Sequence, residues 1–268
     1  MNGLECISSA FDAARREGRP ALMPYYTLGF PTQSATVQIV SAMARAGADL
    51  IELGIPFSDP LADGRTIQHS TQVALEQGMS VRHCLEMVAQ LRLSGVSLPL
   101  LLMGYYNPIL SYGIGRFVAE AAQAGADGLI VPDLPPEEAD QLENHCRASQ
   151  LALVFLVAPT STPERLALVA AHSTGFLYLV SLTGVTGARD QVSSGLEEFI
   201  ARVRRVTSLP LAVGFGISTP QQASLVGSLA EGVIVGSALI HAVGQSSQPV
   251  ETAKAFVEGF KEAMSVPC

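Results

Sequence analysis

The sequence predicts an α/β protein built as a closed (β/α)8 barrel, and three observations carry that prediction. Eight short apolar runs alternate with amphipathic stretches from end to end of the 268 residues. The runs are too uniformly apolar to alternate, which is the pattern of strands buried on both faces. Two junctions repeat one phrase, "ARAGADLIEL" and "AQAGADGLIV", in which a helix ends on glycine and a strand follows at once. Eight such units with no linker between halves favour one barrel domain over 1–268, with short extra N-terminal and loop helices, rather than an open doubly wound sheet. No G-x-G-x-x-G follows the first strand, which further weakens a dinucleotide-binding fold.

The strands are expected, in order, at 21–29 ("ALMPYYTLG"), 49–56 ("DLIELGIP"), 99–106 ("PLLLMGYY"), 127–133 ("DGLIVPD"), 152–159 ("ALVFLVAP"), 176–181 ("FLYLVS"), 209–216 ("LPLAVGFG") and 231–237 ("EGVIVGS"). Between them, 34–47 carries Val37, Ile39, Val40 and Met43 at helical spacing and stops on Gly47. The stretch 113–125 repeats the pattern with Phe117, Val118 and Ala121 inward. At 162–173, Thr162 reads as N-cap, Pro163 as first-turn proline and Glu164 as an early acid. Further helices are expected near 135–149, 195–206, 219–229 and 249–264.

Composition narrows the function. Hydrophobic residues are 48% and charged residues 15%, so a sizeable core is expected and disorder is not. The net charge of -8, with no basic cluster beyond solvated helix positions, argues against nucleic-acid binding. Cys6, Cys84, Cys146 and Cys268 are scattered and read as free thiols in a reducing compartment. No apolar run reaches the length of a membrane span and no signal peptide opens the chain, so a cytoplasmic protein is expected.

In such a barrel, chemistry sits at the C-terminal ends of the strands and in the loops behind them. Glu52 lies in an otherwise apolar strand, near its catalytic end. It reads either as a general acid/base tuned by apolar neighbours or as a structural carboxylate satisfied by backbone donors. Asp59 and Asp63 lie in the following loop; Asp59, before Pro60, reads as a turn residue, and Asp63 as a turn residue or a second functional acid. Asp133 reads better as the N-cap of "PPEEADQL" than as a site residue. Tyr178 lies in strand 6, and "SLTGVTGAR" (181–189) behind it is expected to be a mobile loop. The last two strands end in "GFGIS" and "VGSAL" without a basic side chain. Small residues there either make tight turns only or, with Ser237 as an added donor, suit a phosphate held by backbone N–H groups and a helix N-terminus; two such sites on adjacent strands favour the phosphate. The five histidines do not converge, and no metal constellation is visible.

Taken together, "LIELGIPFSDPLADG", "LLMGYYNPI", "LIVPDLPPEE", "YLVSLTGVTGAR" and "GFGIS", in that order from about residue 4 to 262, closely resemble the tryptophan synthase alpha subunit family. The resemblance implies a lyase that cleaves indole-3-glycerol phosphate to indole and glyceraldehyde 3-phosphate, with no metal or organic cofactor. It places the catalytic carboxylates on Glu52 and Asp63 and the phosphate donors on Gly187, Gly216, Gly236 and Ser237. It implies an indole pocket of Tyr25, Met103, Ile130 and Phe215, with Tyr178 near Glu52. Tyr25 stands where the family often has Phe, Met103 where it often has Leu, and Arg65 where Pro is common. A beta subunit is the implied partner, in an αββα tetramer, facing residues 56–64 and 105–109. Two alternatives stay open at this point: a stand-alone lyase, and a weakly catalytic subunit that mainly activates a partner.

Overall fold

A computed structural model describes residues 2–180, 189–214 and 216–265, with 189–194 given by their helical backbone alone. The strands are β1 (Ala21–Thr27), β2 (Ile51–Gly54), β3 (Leu100–Met103), β4 (Gly128–Ile130), β5 (Ala152–Val154), β6 (Leu156–Val157), β7 (Leu177–Val180), β8 (Leu211–Gly214) and β9 (Gly232–Val235). All pairings are parallel, and the order β5-β4-β3-β2-β1-β9-β8-β7-β6 leaves β5 and β6 as the two ends. Those ends are one chain segment interrupted at Phe155, so the sheet returns on itself as a nearly closed barrel. The expected fifth strand is thus split: its first half pairs with β4 and its second with β7.

The helices are α1 (Gly3–Arg16), α2 (Gln33–Arg45), α3 (Arg65–Glu76), α4 (Val81–Leu93), α5 (Tyr106–Tyr112), α6 (Ile114–Ala124), α7 (Asp140–Ala148), α8 (Pro163–His172), α9 (Arg189–Arg204), α10 (Pro220–Gly227), α11 (Ser237–Gly244) and α12 (Pro249–Ser265). Thr162 caps α8 as expected, its side chain accepting the Arg165 N–H, with Pro163 in the first turn. The helix expected over 135–149 is a 3-10 turn, Pro136–Glu138, followed by α7. Asp133 caps neither; its Oδ1 accepts the N–H of Tyr106, 2.9 Å away, and so caps α5 from the neighbouring unit. The apolar pattern gave no expectation for α3, because half of its buried face is polar: Ile67, Ser70, Thr71 and Ala74.

The repeated phrase has a repeated job. Asp49 and Asp127, from the two "AGAD" copies, lie just before β2 and β4. Each side chain accepts one N–H near the start of the preceding strand, that of Leu22 or Leu100, both at 2.8 Å. Each also pairs with an arginine, Arg19 or Arg92, which donates in turn to nearby carbonyls. Glu231 before β9 repeats the arrangement with Leu211 N–H and Arg204. These latches lie at the strand starts, the face of a barrel given to stability. Lys261 of α12 reaches Asp49 and the Gly47 carbonyl, tying the last helix to the second unit. Helix α1 packs Ile7, Phe11 and Ala14 inward, with Phe11 against Phe176 under the same end. The opposite end is left to the site.

Candidate functional site

At the C-terminal ends of the strands lies a cavity of about 220 Å³ lined by Tyr25, Asp63, Gly64, Ile67, Met103, Tyr178, Gly216, Ile217, Ile234, Gly236 and Ser237. Seven residues singled out in the sequence are among them. Ile130 is fully buried beside Met103, its register partner, and does not line the cavity. Gly187 and Phe215, and nearly all of the 181–189 loop, lie outside the described residues.

Glu52 sits two residues before the end of β2, in register with Tyr25 on one side and Leu101 on the other. It is 0% exposed, and neither carboxylate oxygen has a hydrogen-bond partner among the described residues. The structural alternative, a carboxylate satisfied by backbone donors, is therefore not what the strand provides. An ionised carboxylate without donors is costly to bury, so desolvation raises the Glu52 pKa to about 8. The hydroxyls of Tyr25 and Tyr178 feel the Glu52 charge, and burial holds both phenols well above their ordinary range.

Two glycines make room for these tyrosines. A Cβ on Gly54 would lie 2.0 Å from the Tyr25 hydroxyl oxygen, and one on Gly214 would lie 2.3 Å from that of Tyr178. The Tyr25 hydroxyl also meets Thr27, which bonds to Ser70 of α3 at 2.7 Å.

Asp63 ends the loop after β2. Its N–H donates to the Pro60 carbonyl at 3.0 Å, and its own carbonyl accepts from Gln68 at 2.8 Å. Half-buried, its carboxyl is raised to about 6 by desolvation, against the lowering effect of a hydrogen bond with Tyr105. Asp59 behaves as the turn residue expected: its carbonyl accepts the Leu61 N–H, and its carboxylate accepts from Ser58.

Across the cavity, Gly216 has φ +81°, a conformation that glycine adopts without strain. Gly236 precedes α11, and no side chain caps that helix. Its first N–H groups, with the Ser237 side chain, border the cavity, a setting that attracts anions. A Cβ on Gly236 would press on Tyr25 at 3.2 Å, so the glycine also lets that ring stand close.

The sequence did not point to Ile67, Ile217, Ile234 or Tyr105. Ile234 could have been found by alternation, since it stands two residues before Gly236 on the same strand face. Ile67 lay in the helix without a clear stripe. All five histidines lie on helices, and no group of three or more His, Cys, Asp or Glu among the described residues could hold a metal ion. Cys6, Cys84 and Cys146 are free thiols.

One carboxylate on the cavity wall, a second buried against the lining tyrosines Tyr25 and Tyr178, and an uncapped helix start with close-approach glycines describe a barrel enzyme acting on a small anionic substrate. The comparisons sharpen this. The family model described as "Tryptophan synthase alpha chain" matches residues 11–266. The tryptophan synthase alpha chain of Chloroflexus aggregans is 56% identical over 87% of this chain and 88% of its own. Among solved structures, the tryptophan synthase subunit alpha of Legionella pneumophila matches with a TM-score of 0.90 at 36% identity, covering 98% of both chains. A chain of tryptophan synthase from M. tuberculosis matches with a TM-score of 0.88 at 36% identity, covering 97% of this chain and 98% of that one. The chain belongs to the tryptophan synthase alpha chain family. It is accordingly a lyase of tryptophan biosynthesis, which cleaves indole-3-glycerol phosphate. The family normally pairs with a beta subunit. No helix among the described residues is long and apolar enough to cross a membrane.

Proposed function

We propose that the single barrel domain performs this cleavage with Glu52 as proton carrier and Asp63 as electrostatic partner. The observation that carries the assignment is that Glu52 is buried, without a hydrogen-bond partner among the described residues, against Tyr25 and Tyr178, the two tyrosines that also face Asp63 across the cavity wall. Desolvation raises the two acids unequally, to about 8 and about 6. Near pH 7, Glu52 is neutral and can give its proton to the indole ring carbon that bears the glycerol chain. Positive charge then develops at the indole nitrogen, where the Asp63 carboxylate lowers the barrier. The newly ionised Glu52 takes the proton from the hydroxyl on the adjacent chain carbon. The carbon–carbon bond breaks, its electrons return to the ring, and indole and glyceraldehyde 3-phosphate are released.

The phosphate is assigned to the N–H groups of Gly216, Gly236 and Ser237, with Gly187 as a further donor from the neighbouring loop. Tyr25, Met103 and Tyr178 line the proposed indole pocket, with Phe215 assigned to it by the family resemblance; Ile130 lies behind Met103 and supports that wall from beneath. A beta subunit in an αββα tetramer is the proposed partner, and the chain is proposed to work in the cytoplasm. Leu61 and Leu110, 94% and 53% exposed on and beside the segments assigned to that contact, support docking there. The test is indole release from indole-3-glycerol phosphate by the lone chain and after addition of a beta subunit. Indole from the lone chain, increased by the partner, is expected; none under either condition rules out the assignment.

A further inference from the structure

We propose that Tyr105 is the positioning residue for Asp63, its one hydroxyl accepting the Ala62 N–H while donating to the Asp63 carboxylate. The inference rests on the role given to Asp63 above. It explains how an acid on a nine-residue loop after Ile55 is held at a fixed place, which charge stabilisation requires.

The geometry is specific. The Tyr105 oxygen lies 2.9 Å from the nitrogen of Ala62, the residue next to Asp63, and the same hydroxyl acts to lower the Asp63 pKa. A phenol has one proton and can accept as well as donate, so a single group satisfies two consecutive residues of the loop. Tyr105 is itself immobilised. It is 6% exposed, its ring lies 5.4 Å from that of Phe57 at the start of the same loop, and its chain is fixed by Asp133 on the next N–H. Gly104 lets Ile55 pack close, at 3.1 Å from a Cβ there, so the start of the loop is seated against the segment between β3 and α5. Leu61, beside Ala62, faces solvent. At Leu61 and Ala62 the loop's own side chains are exposed and do little to hold it, and Tyr105 supplies the anchor there.

Among the described residues, the groups that face Asp63 are Tyr105, Tyr25 from β1 and Tyr178 from β7, and Asp133 in turn faces Tyr105. No cation is among them, so the Tyr105 hydroxyl is the contact that favours the ionised acid. Its removal raises the Asp63 pKa further.

Tyr105→Phe keeps the ring and removes only the hydroxyl. The expected result is a fall in kcat of about tenfold, as for a hydrogen bond to a charged group, with KM within about threefold. The acidic limb of the pH profile of kcat/KM should move upward. Placing 3-fluorotyrosine at 105, which makes the phenol a stronger donor without changing the fold, should move that limb downward. Unchanged kcat and an unchanged limb in both proteins overturn the proposal. Asp63→Asn separates this from the underlying role. If it is inactive while Tyr105→Phe behaves as native, only the positioning role fails; if it turns over normally, both fail.

Discussion

The hydroxyl of Tyr25 occupies the volume beside Gly54 that any larger residue would need, 2.0 Å from the position of a Cβ. Tyr25 therefore lies across the end of β2, above Glu52, only because residue 54 has no side chain. Gly54→Ala should destabilise the protein by about 1–3 kcal/mol, as overpacking does, or displace the ring and weaken indole binding. Tyr25→Phe should rescue it only in part, since the ring carbon at 2.5 Å remains. Tyr25→Leu should rescue stability more fully. Thermal melts of the single and double variants check this, and additive losses would show that the two positions do not compete for space.

The two carboxylates predict a bell-shaped pH profile of kcat/KM. Activity requires Asp63 ionised, so it rises through about pH 6; it requires Glu52 protonated, so it falls through about pH 8. Stability follows from the same shift. Folded Glu52 keeps its proton after the unfolded chain has released it, so native stability falls between the ordinary carboxylate range and about pH 8. Glu52→Gln should remove that fall and melt higher than native near pH 8. Melting curves with equal pH slopes in the two proteins would mean that Glu52 is not held neutral.

Gly216 and Gly236 differ as tests of the phosphate site. A Cβ at Gly236 presses on Tyr25, so a substitution there disturbs both ends of the ligand. Gly216, with φ +81°, is the cleaner position. Gly216→Val should weaken binding of glycerol phosphate by about tenfold or more, from strain of about 1–3 kcal/mol, and leave indole binding nearly unchanged. Calorimetric titration with each ligand decides; equal loss of both points to general damage.

At the other end of the barrel, Asp49→Ala removes the bidentate partner of Arg19, whose side chain is 3% exposed and keeps Glu17 as its remaining carboxylate, and leaves the Leu22 N–H without its acceptor. A loss of about 1–3 kcal/mol is expected. Below the melting transition, KM should stay unchanged, because these groups lie at the strand starts. A KM shift at full folding would connect the two faces.

The strands were legible because parallel strands buried on both faces are written as apolar runs. Helices α2, α6 and α8 were legible from caps and stripes. Glu52 stood out because an acid in such a run has no solvation. What could not be read depends on contacts distant in sequence. The split at Phe155 follows from pairing with two different neighbours. The capping of α5 by Asp133 spans 27 residues, and the Tyr105 contact to Ala62 spans 43. The repeated "AGAD" was visible, but its role as a latch needed the arginines.

The most direct test is indole release from indole-3-glycerol phosphate at pH 7 by the Glu52→Gln protein beside the native chain. The amide keeps the shape of the acid and cannot carry the proton. A folded variant with turnover reduced by about 10²-fold or more is the expected result. A rate within a few-fold of native, from a protein with native binding of glycerol phosphate, would contradict the assignment of Glu52 as the proton carrier.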